Sequence, residues 1–536
     1  MEFLQYLFGL IYGFLYCFFM SFAPTRKSVR HTPKPKSIIT YDDYYNNQLI
    51  LDTLRGVDGW TTQDKDSSYD WQDLATHRRE LERCRKFHDD RALCSHLRDQ
   101  SLRNTCRILS PSLYRKSPVQ TKRLIHDYLL ELRRCIAYVA DPNSMRSGST
   151  VVSAHEKRQL LSDMRTILGR TTLVLQGGAI VSLSHIGVVK ALHEQGILPQ
   201  IITGSSSGAF IAAILCTSSP REFSQKLEGV GVNLEAFSRA QAERPATALT
   251  TLLKSPLLEA LRRRYLRYQK DRHFFDIQVM RDCAKDNLGE ITFEEAYAKT
   301  GRILNITIAM SEVAGTPQLL NYVTAPHVLI WTAVMASIAT SKQMYAPAQL
   351  LCKDETGAIA NYYAADFSDL LSDQQVMVHP ETALQRIGEI FNVNHFIFSQ
   401  TRPYVAPFVR LQAWADHYPL LGAIVRLSLG ETFHWLKQFE NLGILPVPLQ
   451  RVLLDEKVPV PAQWGKISIT PKLGLRDFCH LFDYPTMTRL QEWGFRGEQS
   501  TWPRMCELKC RCEVEMELDA AYTRVWRRVP GAMTAD

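Results

Sequence analysis

Residues 201–216 read Ile201-Ile-Thr-Gly-Ser-Ser-Ser-Gly-Ala-Phe-Ile-Ala-Ala-Ile-Leu-Cys216, an apolar run entering Gly204-Ser205-Ser206-Ser207-Gly208 and a small-residue run leaving it. An apolar run ahead of a glycine-flanked serine, followed by small and apolar residues, predicts a strand that turns sharply into a helix, a nucleophile elbow. The turn strains the backbone of its apex residue, and glycine on either side, here Gly204 and Gly208, leaves room for the two elements to cross. Ser206 stands at the apex, exposed at the helix N-terminus, and is the candidate nucleophile. A Gly-x-Ser-x-Gly string alone is common in loops, so its weight comes from the flanking strand and helix patterns.

Working outward, the unit is repeated upstream: residues 172–175 form a short apolar strand, Gly177-Gly178 a turn and residues 185–193 a helix. Further strands are expected at 303–309 and 396–399. Strands alternating with helices predict an α/β fold with a mostly parallel, doubly wound sheet flanked by helices. Ahead of it, residues 40–168 place apolar side chains at three-to-four spacing, as in Leu74, Leu81, Cys84 and Phe87 or Leu124, Tyr128, Leu132 and Ile136. That spacing predicts a helical domain. Beyond about residue 403 come amphipathic stretches such as 420–436, whereas residues 506–518 alternate polar and apolar in a strand-like manner.

With 45% hydrophobic and 22% charged residues over 536 positions, the chain has the composition of two or three globular domains and not of a disordered protein. A net charge of +8 suits an anionic lipid surface or nucleic acid, but the basic residues are dispersed apart from one early cluster, so nucleic acid is not expected as a partner. Twelve cysteines are scattered. Only Cys506, Cys510 and Cys512 approach zinc-ligand spacing, with no histidine set nearby in sequence, and the thiols read as reduced core residues with no metal or cofactor expected. Residues 3–23 carry nine aromatics and no charge, and Arg26, Lys27, Arg30, Lys34 and Lys36 follow. Pro24 sits where signal cleavage would have to occur, so the segment reads as a retained hydrophobic anchor, either spanning a bilayer or lying in its surface, with the rest of the chain cytosolic.

The run Leu173-Val-Leu-Gln-Gly177-Gly178-Ala-Ile-Val-Ser182-Leu-Ser-His185-Ile-Gly187, together with the elbow, resembles the patatin-like phospholipase family. Residues 290–307, 320–337 and 391–400 are similar to its subgroup of fungal and plant storage triacylglycerol lipases. So are the helical segment 69–139 and Glu498-Gln-Ser-Thr-Trp-Pro503. The resemblance runs from roughly residue 40 to 520. It implies a Ser-Asp dyad in place of a Ser-His-Asp triad, with Ser206 as nucleophile, Asp366 as base and Asp369 as a fallback, and with the backbone of Gly177 and Gly178 as the oxyanion loop. His185 reads as a helix-packing or loop-bracing residue and not as a general base, and His395 as structural.

Two departures from the family pattern fall at the site. Gln176 and Ser182 replace glycines of the oxyanion loop, and Phe367 replaces the glycine after the dyad aspartate. The resulting division is 1–24 hydrophobic membrane or lipid-droplet anchor, 25–39 basic linker, 40–168 helical domain, 169–400 patatin-like catalytic domain and 401–536 amphipathic, helical C-terminal region. The expected function is a serine lipid acyl hydrolase of triacylglycerol-lipase type at a lipid-droplet or endoplasmic reticulum surface. Its expected partners are neutral lipid, phospholipid and other lipid-droplet proteins. Two alternatives stand beside it: a lysophospholipid acyltransferase using the same acyl-enzyme, and a catalytically impaired lipid-droplet paralogue. A histidine five positions before an aspartate, an acyltransferase signature in the subgroup, does not occur in the chain.

Overall fold

The computed structural model describes residues 39–142, 144, 152–242, 269, 277–308, 319–339, 348–362, 380–402, 465–474, 477, 480 and 484–526, with single positions 427, 431, 434, 435 and 438. Its helical N-terminal part includes α1 (Trp71–Lys86), α2 (Arg123–Ala140) and α3 (Ala154–Leu168). Leu74, Leu81 and Cys84 of α1, Ile125, Leu129, Leu132 and Ile136 of α2, and Leu160, Leu161 and Met164 of α3 meet in one core. The three-to-four spacing read from the sequence is the inward stripe of these helices. Ser153 and Glu156 close a capping box at the start of α3, each satisfying a backbone N–H that the first turn leaves unpaired.

The second part is built on a six-stranded sheet. Its elements include, in chain order, β1 (Arg170–Leu175), α4 (Ser184–Glu194), β2 (Ile201–Ser205), α5 (Ser207–Thr217), β3 (Ile303–Thr307), β4 (Leu319–Leu320), α6 (Ile330–Ile338), α7 (Pro380–Phe391), β5 (Val393–Ser399), β6 (Gly465–Ile469), α8 (Met487–Thr501) and α9 (Met505–Trp526). The strand order is β4-β3-β2-β1-β5-β6, with four parallel pairings and β4 antiparallel at one edge. The sheet is therefore mixed, with a parallel body.

Successive side chains point to opposite faces. Leu173, Leu175, Ile202, Leu304 and Ile397 join the core under α4, α5, α6 and α8. Val174, Ile201, Ile303, Phe396 and Phe398 join the core under α7. A strand covered on both faces needs apolar residues at every position, which is why these strands read as unbroken apolar runs.

Helices α4 and α8 cross in backbone contact. A Cβ on Gly187 would lie 1.7 Å from the Gly494 carbonyl oxygen, and one on Gly497 would lie 2.0 Å from that of Ser184. Lys190 and Glu498 close the crossing with a 2.9 Å ion pair.

Two expectations are corrected. Residues 506–518 are helical, inside α9, and not strand-like. Met505, Leu508 and Cys512 face the sheet core while Cys510, Val514, Leu518 and Ala521 face the helical core. Two helical stripes offset from each other imitate an alternation of two. The expected architecture with an N-terminal hydrophobic anchor is also corrected. No helix among the described residues is long and apolar enough to cross a membrane, so the described fold is an α/β core with a helical N-terminal part and no membrane-spanning helix. Residues 1–24 and most of 420–436 lie outside the described residues.

A buried ionic cluster joins the two parts. Arg103 donates to Glu515 at 3.0 Å and to the carbonyls of Arg511 at 2.8 Å and Gly169 at 2.9 Å. Glu515 also accepts from the Thr171 backbone N–H at 2.7 Å and from its hydroxyl. The start of β1, the loop before α2 and the last helix are thereby held by one carboxylate.

Candidate active site

Chain order places β1 between strands that follow it in opposite directions, β2 on one side and β5 on the other. At such a reversal the loops leaving the carboxyl ends of neighbouring strands diverge and open a crevice, the usual ligand position in an α/β sheet. The loop after β1 carries Gly177 and Gly178, the loop after β2 carries Ser206, and β5 leads into Gln400 and Thr401.

Ser206 has φ 52 and ψ −128, a left-handed conformation that a side chain with a Cβ adopts only under strain. The neighbouring glycines hold it there. A Cβ on Gly204 would lie 2.5 Å from Ala209 Cα, and one on Gly208 would lie 2.2 Å from the Leu175 carbonyl oxygen. The elbow is also pinned from outside, because the Ser206 N–H donates to Ser337 Oγ at 2.8 Å while the Ser337 hydroxyl donates to the Thr307 carbonyl at 2.7 Å. Ser337 thus ties the nucleophile's backbone to α6 and to the end of β3.

The glycine turn lies directly against this serine. A Cβ on Gly177 would come 2.7 Å from Ser206 Cβ and 3.0 Å from its Oγ, so only glycine lets the backbone pass. Gly178 approaches Thr401 equally closely, and its N–H donates to Ser207 Oγ at 3.0 Å. Ala179, the next residue, has φ 53 and is strained in its own right.

His185 is wholly buried, and burial pushes its pKa down to about 4, the hydrogen bond to Gln176 opposing. Nε2 lies 2.7 Å from the Gln176 carbonyl, an acceptor only, so Nε2 carries the proton and Nδ1 accepts from Ser399 Oγ at 2.7 Å. Thr401 donates to the same carbonyl at 2.8 Å. Both imidazole nitrogens are committed, which makes His185 a neutral brace fixing the residue before Gly177. His395 is also buried, with Nδ1 3.2 Å from Thr171 Oγ1, and burial holds its pKa well below the ordinary value.

The structure thus brings together Ser206, Gly177, Gly178, Gly204 and Gly208. Asp366, with Phe367 and Asp369, lies outside the described residues. Ser337, Ser399 and Thr401 were not singled out from the sequence. Each acts through a contact with a residue more than a hundred positions away, and nothing local marks them.

Comparison with known proteins covers most of the chain. Residues 173–349 match the patatin-like phospholipase family, and residues 23–166 match a domain of unknown function, DUF3336. Triacylglycerol lipase 5 of Saccharomyces cerevisiae is 31% identical over 91% of this chain, which spans 64% of that protein's length. Triacylglycerol lipase ptl3 of Schizosaccharomyces pombe is 28% identical over 91% of this chain and 96% of its own. Triacylglycerol lipase ptl1 of the same yeast is 29% identical over 90% and 83%. A strained serine between glycines, a glycine turn laid against it and these matches have one common account: residues 173–349 are a patatin-like phospholipase region.

Proposed function

We propose that the chain is a serine lipid acyl hydrolase of triacylglycerol-lipase type, releasing fatty acids at a lipid-droplet or endoplasmic reticulum surface with its catalytic domain in the cytosol. The observation that carries this reading is Ser206 at φ 52 with the Gly177 backbone against its side chain. The names of the similar yeast proteins support the substrate class.

In this scheme Ser206 Oγ attacks the ester carbonyl carbon and its proton passes to Asp366, a role that rests on the resemblance. The Gly177 N–H and a second donor receive the oxyanion; the loss of one such donor typically slows turnover by about 100- to 1000-fold. The Gly178 N–H becomes that second donor when it leaves Ser207 Oγ. Asp366 returns the proton to the departing alcohol, and water then releases the fatty acid from Ser206. The scheme uses no metal or cofactor.

One observation favours a second reading, a lipid-surface protein without turnover: the Gly178 N–H is engaged by Ser207 Oγ. The experiment that separates them is fatty-acid release from emulsified triacylglycerol by wild type, Ser206→Ala and Asp366→Asn, with circular dichroism as the folding control. Loss of activity in both variants supports the dyad. Folded wild type that neither releases fatty acid nor reacts with a fluorophosphonate probe refutes the hydrolase and leaves the second reading. Added lysophospholipid tests acyl transfer from the same serine.

A further inference from the structure

We propose that His126, Cys506 and Cys510 form a zinc site that clamps the last helix to the N-terminal helical domain. Cys506 and Cys510 are four residues apart in α9, one helical turn, so their thiols project to the same side. His126 lies in the first turn of α2, which packs along α9. One ligand atom from each of the three lies within 4.8 Å of the other two. Among the described residues this is the one such gathering of three histidine, cysteine or carboxylate ligands.

Around a tetrahedral zinc with bonds of about 2.0–2.3 Å, ligand atoms stand roughly 3.5–3.8 Å apart. The three side chains therefore need to draw in by only about 1 Å, a movement that small χ rotations supply. Two thiolates and one imidazole match the preference of zinc for sulfur and nitrogen donors, and the two negative charges neutralise the cation. Both cysteines are 5% exposed, whereas His126 is on the surface. The site is therefore closed by protein beneath the thiols and open at the imidazole, which gives the ion an entry path and leaves a fourth position for water. Binding releases the two thiol protons to solvent as the Zn–S bonds form.

The spacing of the cysteines alone did not reveal this, because the histidine is 380 residues away from Cys506 in the sequence. Cys512, two positions further on, faces the sheet core and takes no part.

The test uses the full chain, reduced, freed of metal with a chelator and titrated with Co2+ as the spectroscopic probe, with zinc content measured after exposure to Zn2+. We expect one ion per chain and a thiolate-to-cobalt charge-transfer band. Cys510→Ser abolishes the band. His126→Gln, an exposed substitution that leaves the fold intact by circular dichroism, weakens binding by about tenfold or more. Cys512→Ser changes neither the band nor the affinity. Reduced wild type without the band overturns the proposal. So does a His126→Gln protein that binds as tightly as wild type, or equal zinc content in Cys506→Ser/Cys510→Ser.

Discussion

Replacing His185 with phenylalanine removes the brace of the glycine turn while keeping a ring in the same volume, and its effect depends on pH in a way that a packing defect does not. Two neutral hydrogen bonds are lost and the Ser399 hydroxyl is left without its acceptor, while Gln176 keeps Thr401. At about 1 kcal/mol for each lost bond, with a further desolvation penalty for the orphaned hydroxyl, the variant should be roughly 3 kcal/mol less stable near neutral pH.

The imidazole titrates at about 4 in the folded chain against 6.5 for the ordinary side chain, because burial disfavours its charged form. The unfolded chain therefore binds more protons between these values, and stability rises with pH across that window. This contribution is fully present above pH 6.5, is lost as pH falls through the folded value near 4, and amounts to roughly 3 kcal/mol at 1.4 kcal/mol per unit. His395 titrates in the same direction but is present in both proteins, so it cancels in the difference.

The assay is urea unfolding of wild type and His185→Phe followed by tryptophan fluorescence at a series of pH values. The gap between them should shrink from about 3 kcal/mol near pH 7 to within about 1 kcal/mol near pH 4.5. A gap that stays constant over this range refutes the neutral-brace assignment.

Other substitutions test the remaining contacts. Gly177→Ala places a methyl group 2.7 Å from Ser206 Cβ and should cut turnover by about 100-fold or more while leaving the far-ultraviolet circular dichroism unchanged. Ser337→Ala removes the hydroxyl that bonds both the Ser206 N–H and the Thr307 carbonyl, so thermal unfolding should show a loss of about 1–3 kcal/mol, with slower labelling by a fluorophosphonate. Glu515→Gln leaves the Arg103 guanidinium buried without its counter-ion and should cost about 3–5 kcal/mol in chemical denaturation, whereas Glu513→Gln, at a half-exposed pair, should cost under about 1 kcal/mol.

What the sequence disclosed was local. The elbow is legible because its strand, apex and helix are contiguous, and because the glycines flanking Ser206 have a steric reason that any reader can supply. The sheet strands are legible because burial on both faces leaves unbroken apolar runs such as Phe396–Phe398. The bracing of the site was largely hidden, since Ser337 reaches Ser206 across 131 positions and Ser399 reaches His185 across 214. Residues 506–518 misled for a definite reason: a helix buried on two sides carries two apolar stripes, and their superposition has the period of a strand. The aromatic segment 3–23 suggested an anchor by composition, and no described helix has the length and apolarity to cross a membrane. Asp366 remains an assignment by resemblance, and the Asp366→Asn measurement carries its test.

The position of α9 has a consequence for biosynthesis. The helical core beneath α2 is incomplete until Cys510, Val514 and Leu518 arrive, and Arg103 meets Glu515 only across 412 residues. At translation rates of about 5–20 residues per second, the N-terminal helices wait roughly 20–80 seconds for the element that covers them. During that interval their apolar face and the Arg103 guanidinium are open to water and to other nascent chains. A chaperone that holds the first helices until α9 has emerged should therefore raise the yield of soluble, folded chain.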